Sequence, residues 1–187
     1  MPGKLIIFEG IDGSGKSTQA KYFAKKIKAI YFKEPYFFKK IILSSIQPLT
    51  ELFLFLADRA EIYSLIDKFL KRNHVILDRS FPSTLAYQLE ARNLKRIISL
   101  DNYLKIDLIA RKMINPDIVI VFDLPVTTAL SRLKKKTKFE KLRFLSKVRK
   151  AYLKFAKKFG WYVIDASKDI NDVRQEIFNI FRNKRIC

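Results

Sequence analysis

FEGIDGSGKSTQ, residues Phe8 to Gln19, gathers three of the chain's five glycines just ahead of a lysine and two hydroxyl residues. Gly10 to Ser17 match the pattern G-x-x-x-x-G-K-[ST] in full. The setting matters more than the string. Four apolar residues, Leu5–Phe8, precede it as a short strand, and an amphipathic helical pattern opens at Lys16. Glycines here let successive backbone N–H groups turn inward as an anion nest, and the following helix N-terminus adds its positive dipole end. The spacing therefore predicts a loop of Gly10, Ile11, Asp12, Gly13, Ser14, Gly15, Lys16, Ser17 and Thr18 around the phosphates of a nucleoside triphosphate. In such loops the lysine reaches the β- and γ-phosphates and the serine offers its hydroxyl to Mg2+. The bland alternative, a glycine-rich structural turn, fits poorly with the scarcity of glycine elsewhere.

Outward from this loop, short β-rich runs alternate with longer helical patterns, which predicts an α/β fold with a parallel sheet. Strands are expected at Leu5–Phe8, Ala29–Phe32, Val75–Leu77, Ile118–Phe122 and Trp161–Ile164. Helices are expected near Lys16–Lys28, Thr50–Arg72, Pro82–Arg92, Leu100–Ile114, Val126–Lys135, Phe139–Phe159 and Asp169–Asn183. No linker or repeat interrupts the pattern, so residues 1–187 read as a single domain. Glu9, Lys33, Asp78, Asp123 and Asp165 follow the strands at their C-terminal ends. Ligands of open parallel sheets bind beyond those ends. The site is therefore sought at Glu9–Thr18, Lys33–Pro35 and Asp78–Ser83.

The chain is 49% hydrophobic and 30% charged, a balance that argues against disorder. No apolar run approaches the roughly 18 residues that cross a bilayer. Met1–Gly10 lacks the marks of a signal peptide, and Cys187 has no internal partner and no prenylation box. A soluble, cytoplasmic protein without a membrane partner is expected. The net charge is +20, and Arg132 to Lys158 carries thirteen Lys/Arg against one acid, Glu140. Such a stretch is either a solvated helix face or an element facing phosphate or nucleic acid. Switch GTPases, helicases, motors and small-molecule kinases all share the loop. The chain is too short for a large mechanical module, and it has no N-K-x-D string for guanine.

Two further stretches narrow the field. LFLFLADRAEIYSLI (Leu52–Ile66) places a phenylalanine four residues before the arginine of A-D-R. VILDRSFPSTLAYQ (Val75–Gln88) is a strand ending in D-R followed by a segment ending in A-Y-Q. With the loop, these resemble thymidylate kinases, the P-loop enzymes that phosphorylate dTMP with ATP. PDIVIVFDLPVTTALSRL (Pro116–Leu133) and VIDASKDINDV (Val163–Val173) are similar to the family's late strands and their helices. The resemblance covers nearly the whole chain. It implies a three-layer P-loop kinase fold: a five-stranded parallel sheet in the order 2-3-1-4-5, helices on both faces and a short basic lid at residues 134–142. By family habit a homodimer would form through the Thr50–Arg72 helix; a nucleic-acid partner is not expected.

On the Thr50–Arg72 helix, Leu52, Phe55, Ile62, Ile66 and Phe69 form an apolar stripe that includes Arg59. A charge on an apolar face needs a partner or a ligand. The residues alone leave both open: Phe55 and Arg59 could stack on and hydrogen-bond a base, or Arg59 could pair with Asp58, Glu61 or Glu90. The resemblance implies the first, with Phe55 on thymine and Arg59 at its O4. Asp78 could hold a water on Mg2+, and Arg79 could clamp the acceptor phosphate; the alternative is an ion pair closing the strand. The resemblance further assigns Tyr87 to the sugar's 2′ position, Thr84 and Gln88 to the base pocket, and Asp12 to the sugar hydroxyl or a bound magnesium. Ser14 stands where some thymidylate kinases carry a loop arginine. The compensating cations are then Arg132, against the adenine or phosphates, and the lid lysines Lys134, Lys135, Lys136 and Lys138. The expected catalytic set is Asp12, Lys16, Arg79, Arg132 and Lys136.

The chain also departs from the family pattern. FKEPYFFKK stands in place of R-E-P-G-G, with Lys33 for the arginine and Tyr36 and Phe37 for the glycines. A second phosphate-holding arginine falls on Ile42, leaving Lys33, Lys39 or Lys40 as point charges, and Ser80 replaces an aromatic after D-R. His74 reads as a turn residue. The apolar face Phe139, Leu142, Leu145, Val148, Tyr152, Phe155 and Phe159 reads as core. Competing functions are another pyrimidine nucleotide or nucleoside kinase and a nucleic-acid-binding ATPase.

Overall fold

The computed structural model describes residues 2–44, 46–133 and 141–186. Five strands form one sheet in the order β2-β3-β1-β4-β5, every neighbouring pair parallel. They are β1 (Leu5–Gly10), β2 (Ile30–Lys33), β3 (Val75–Asp78), β4 (Ile118–Asp123) and β5 (Tyr162–Asp165). The register aligns Phe8 with Asp78 on one side and Ile120 on the other, so the polar strand ends gather at one edge of the sheet. β1, β3 and the first five residues of β4 are buried throughout, as expected of strands covered on both faces.

Successive side chains of β1 point to opposite faces. Phe8 packs on Phe23 of α1 (Lys16–Lys26) and Phe181 of α8 (Ile170–Asn183), with ring centroids 6.3 and 6.5 Å away. Glu9 faces the other way, toward Ser83 of α4 (Phe81–Thr84) and Tyr152 of α7 (Leu142–Phe159). Helices thus cover both faces, which is the expected three-layer architecture. α3 (Pro48–Leu70) begins with proline at its first position and runs past α5 (Leu100–Ala110). Two short helices, α2 (Lys39–Ile42) and α6 (Val126–Ser131), complete the set.

The strands lie within two residues of expectation, but several helices differ. The segment expected as one helix over Pro82–Arg92 is α4 followed by a π-helix, Leu85–Ala91. The expected Leu100–Ile114 helix stops at Ala110, because Lys112 and Met113 adopt positive φ. The expected Val126–Lys135 helix ends at Ser131, and Lys134, Lys135, Lys136 and Lys138 lie outside the described residues. On α7, Leu145, Val148, Tyr152 and Phe155 are buried as core, whereas Leu142 and Phe159 are exposed, and Phe139 lies outside the described residues. His74 is a turn residue whose Nδ1 accepts the Lys4 N–H at 3.0 Å. No helix of the described residues is long and apolar enough to cross a membrane.

The Phe8 ring has no solvent contact and touches Phe23, Phe122 and Phe181. Phe8→Ala is expected to lower unfolding stability by about 3–5 kcal/mol, read from the urea midpoint at an unchanged slope.

Candidate active site

The loop between β1 and α1 folds as its sequence requires. Gly10 has φ +141° and Gly13 φ +85°, and a Cβ at Gly13 would collide with the Ala129 carbonyl of α6. Gly15, also left-handed, caps α1 without a side-chain hydrogen bond, which leaves the helix N-terminus open to an anion. Lys16 is buried and bends back, its Nζ 3.5 Å from the Ile11 carbonyl and 3.4 Å from Asp12 Oδ1. Burial and then Arg79 push the Lys16 amine down, against the pull of Asp12 and Asp78. Ser14 is buried with an unpartnered hydroxyl. Ser14, Gly15, Thr18 and Arg132 line a cavity of about 310 Å³, joined by Gln19, Ala166 and Lys168, which the sequence reading missed. Arg132 donates from Nη1 to the Ala166 carbonyl at 3.4 Å.

A second cavity, about 250 Å³, has Asp12 in its wall. It brings together Asp12, Lys33, Phe55, Arg59, Arg79, Thr84, Tyr87 and Gln88, all eight of the residues assigned from sequence to the acceptor. Lys39 lines it as well, and Lys40 does not. Two arginines organise it. Arg79, at φ +75°, donates to Asp12 Oδ1 at 2.7 Å, Ser83 Oγ at 3.0 Å and Tyr152 Oη at 3.2 Å. It also lies 5.2 Å from the centre of the Tyr87 ring. Burial alone would raise the Asp12 carboxyl, but Arg79 and Lys16 outweigh it and hold the group well below the usual carboxylate range.

Arg59 has no solvent contact. Its Nε and Nη2 bind Glu34 at 3.4 and 2.8 Å, and Nη2 also reaches Thr84 Oγ1 at 3.1 Å. Nη1 binds Asp107 at 2.6 Å and Tyr103 Oη at 3.2 Å. These five contacts match the five N–H donors of a guanidinium. The pairing with Asp58, Glu61 or Glu90 weighed from sequence is not what forms. Asp58 points the other way along α3 and accepts the backbone N–H groups of Tyr36, Phe37 and Phe38 at 2.8, 2.6 and 2.8 Å. Thr84, Tyr87 and Gln88 are all buried.

At the ends of β1 and β3 two more carboxylates are fully buried. Glu9 accepts from Ser80 N at 2.7 Å and from the Ser83 and Tyr152 hydroxyls at 2.6 and 2.9 Å. Asp78 Oδ2 accepts from Tyr31 Oη at 3.0 Å and lies 3.5 Å from Lys33 Nζ. Lys33 in turn donates to Ser17 Oγ at 3.3 Å. Burial raises Asp78, but Lys16, Lys33 and Ser17 outweigh it and keep it ionised. Its Oδ1 is buried with no hydrogen-bond partner among the described residues.

Comparison with known proteins is decisive for a site of this geometry: the family model for thymidylate kinase matches residues 8–177. The chain belongs to the thymidylate kinase family. It is 39% identical to the probable thymidylate kinase of Methanocaldococcus jannaschii, over 96% of each chain. It is 37% identical to probable thymidylate kinase 1 of Saccharolobus solfataricus, over 96% of this chain and 97% of the relative. It is 38% identical to the thymidylate kinase of Thermosipho africanus, over 94% and 96%. Glu34 and Asp58 fall inside the R-E-P-G-G-like and A-D-R strings, yet the sequence reading gave neither of them, nor Glu51 or Tyr152, the contacts seen here. Their sequence cue was only a polar residue inside or beside an otherwise apolar run.

The electrostatics of the site set two measurable expectations. Asp12 titrates lower in the folded chain than in the unfolded one. Its contribution to stability is therefore present above about pH 4 and lost as the pH falls through its folded value. Asp12→Asn is expected to flatten that acid-side loss in urea midpoints taken between about pH 2 and 6. Asp58→Ala strands three backbone donors and is expected to cost about 2–4 kcal/mol, with Asp58→Asn retaining part of it, as read by thermal denaturation.

Proposed function

We propose that this protein transfers the γ-phosphoryl group of ATP to dTMP, releasing ADP and dTDP. The observation that carries this reading is the second cavity. An aromatic ring, buried hydrogen-bonding side chains and a clamp of Arg79 and Asp12 meet there. Phe55 is the face for the pyrimidine, and Thr84 and Gln88 are its polar edge. Tyr87 crowds the sugar and Asp12 answers its hydroxyl. Arg79 holds the acceptor phosphate, assisted by Lys33. Arg59 serves the base by fixing Thr84 and Glu34; direct contact with the base O4 requires exchange of one of its five bonds.

On the donor side, the loop from Gly10 to Thr18 and Arg132 hold ATP. Lys16 exchanges its contacts with Ile11 and Asp12 for β- and γ-phosphate oxygens. The acceptor phosphate is already anionic, so transfer needs no general base and no covalent intermediate; alignment and charge neutralisation supply the catalysis. Ser17 Oγ and, through water, Asp78 would hold Mg2+. The residues fit it: Asp78 is ionised with one bare oxygen, and the Ser17–Asp78 gap already draws in the Lys33 ammonium. Bound there, the ion would neutralise charge on the donor phosphates. Lys136 and its neighbours, outside the described residues, are proposed as the remaining cations from the lid. Exposed Phe53 on α3 accords with a homodimer, and nucleotide substrates accord with a cytoplasmic location.

A coupled assay of ADP release across dTMP, dUMP, UMP, CMP, AMP and thymidine tests the reading, with dTMP expected as the best acceptor. Preference for thymidine, or no dTMP-dependent ADP release, overturns it. Arg79→Ala is expected to lower kcat/KM for dTMP by about 10²–10³ while the KM for ATP changes little. Arg79→Lys is expected to restore only part, because a point charge lacks the guanidinium fork.

A further inference from the structure

Base selection in the acceptor cavity cannot rest on Arg59 as it stands, since its five donors are committed to Glu34, Thr84, Tyr103 and Asp107. Gln88 is placed differently. It lines the cavity from the π-helix, is 2% exposed, and makes one hydrogen bond among the described residues, from Nε2 to Glu51 Oε1 at 2.8 Å. Glu51 is wholly buried on the first turn of α3, and its other oxygen is paired with Arg92 at 3.4 Å. A carboxylate held by a guanidinium only accepts, so it fixes which end of the neighbouring amide is which. The amide nitrogen must face Glu51. The amide oxygen is left for the occupant of the cavity. Glu51, Phe55 and Arg59 succeed one another at four-residue spacing along α3, so the residue that orients Gln88 shares a helix stripe with the proposed base-stacking ring.

We propose that Glu51 is a positioning residue for base selection: by pinning the Gln88 nitrogen it presents the Gln88 oxygen as a fixed acceptor to the pyrimidine. Thymine and uracil carry an N3–H that satisfies this acceptor. Cytosine presents a bare N3 lone pair, which leaves two acceptors facing each other. Unpaired buried polar groups are the strongest source of discrimination between substrates of similar shape. This deepens the dTMP kinase reading and rests on it.

The test is Glu51→Gln in the full chain, with kcat/KM measured for dTMP, dUMP and dCMP. A glutamine at 51 both donates and accepts, so the Gln88 amide gains its second orientation while the packing volume is kept. The dTMP-to-dCMP ratio is expected to fall about tenfold, the dUMP-to-dCMP ratio with it, and the KM for ATP to change less than about twofold. An unchanged ratio overturns the proposal, and so does an equal loss for all three acceptors, which marks Glu51 as structural only. Absence of dTMP turnover by the unaltered protein removes the underlying reading first, and the proposal falls with it. Should Glu51→Gln fail to fold, competition against dTMP on the unaltered protein decides. 3-Methyl-dTMP, which lacks the N3–H, is expected to compete at least about tenfold more weakly. Equal competition overturns the proposal.

Discussion

Arg59 carries a full positive charge to a point without solvent contact, and the elements around the acceptor cavity are arranged to answer it. A guanidinium out of water is tolerated only with every donor engaged; removing one partner of such a group costs about 3–5 kcal/mol. The partners come from three separate parts of the chain. Glu34 comes directly after β2, Thr84 ends α4, and Tyr103 and Asp107 sit on α5. One side chain therefore ties α3 to three elements that the backbone alone does not hold together. The tie extends outward, since Asp107 also takes Arg111 at 2.6 Å and Arg111 lies 4.4 Å from the centre of the Phe81 ring.

Arg79 repeats the principle with a different result. Its partner Asp12 belongs to the loop between β1 and α1, so this pair ties that loop to the cavity both residues line. Glu9, the β1 residue next to the loop, secures the backbone on which Arg79 sits by accepting the Ser80 and Ser83 N–H groups. Both N–H groups belong to the turn that leaves Arg79 at positive φ. Beyond that turn, the π-helix sets the shape of the cavity wall. Thr84, at the end of α4, and Tyr87 and Gln88, on the π-helix, stand at i, i+3 and i+4 and all line the cavity.

The phosphate loop and the strands were legible because their determinants are local: a spacing of glycines, an apolar run, a polar residue at the strand end. The residues of the acceptor cavity were named through family resemblance rather than through their own chemistry. What stayed hidden depends on distant partners. Sequence physics correctly demanded a partner for Arg59, yet the candidates weighed were Asp58 and Glu61 on its own helix and Glu90. The true partners Glu34 and Asp107 stand 25 and 48 residues away. Asp58 bonds a loop about twenty residues behind it and Glu51 an amide 37 residues ahead, and neither link leaves a periodic trace. The π-helix was hidden for another reason: an i to i+5 turn uses the same residue types as an α-helix.

Charge balance around the acceptor cavity explains why its two halves should behave differently. Arg59 is balanced by Glu34 and Asp107, and Arg79 by Asp12, so neither guanidinium offers uncompensated charge to a phosphate until a bond is exchanged. Arg79 can exchange, because Asp12 is partly exposed and adjoins the loop that a nucleotide would reorganise. Arg59 sits behind four buried partners and cannot do so readily. On the proposed reading, the end beside Arg59 is close to neutral and suits a base. The end beside Arg79 has half-exposed Lys33 and also Lys39, carried to the cavity wall by the segment that Asp58 clamps. Tyr36 and Phe37, which stand where the family pattern has glycines, commit their backbone N–H groups to Asp58.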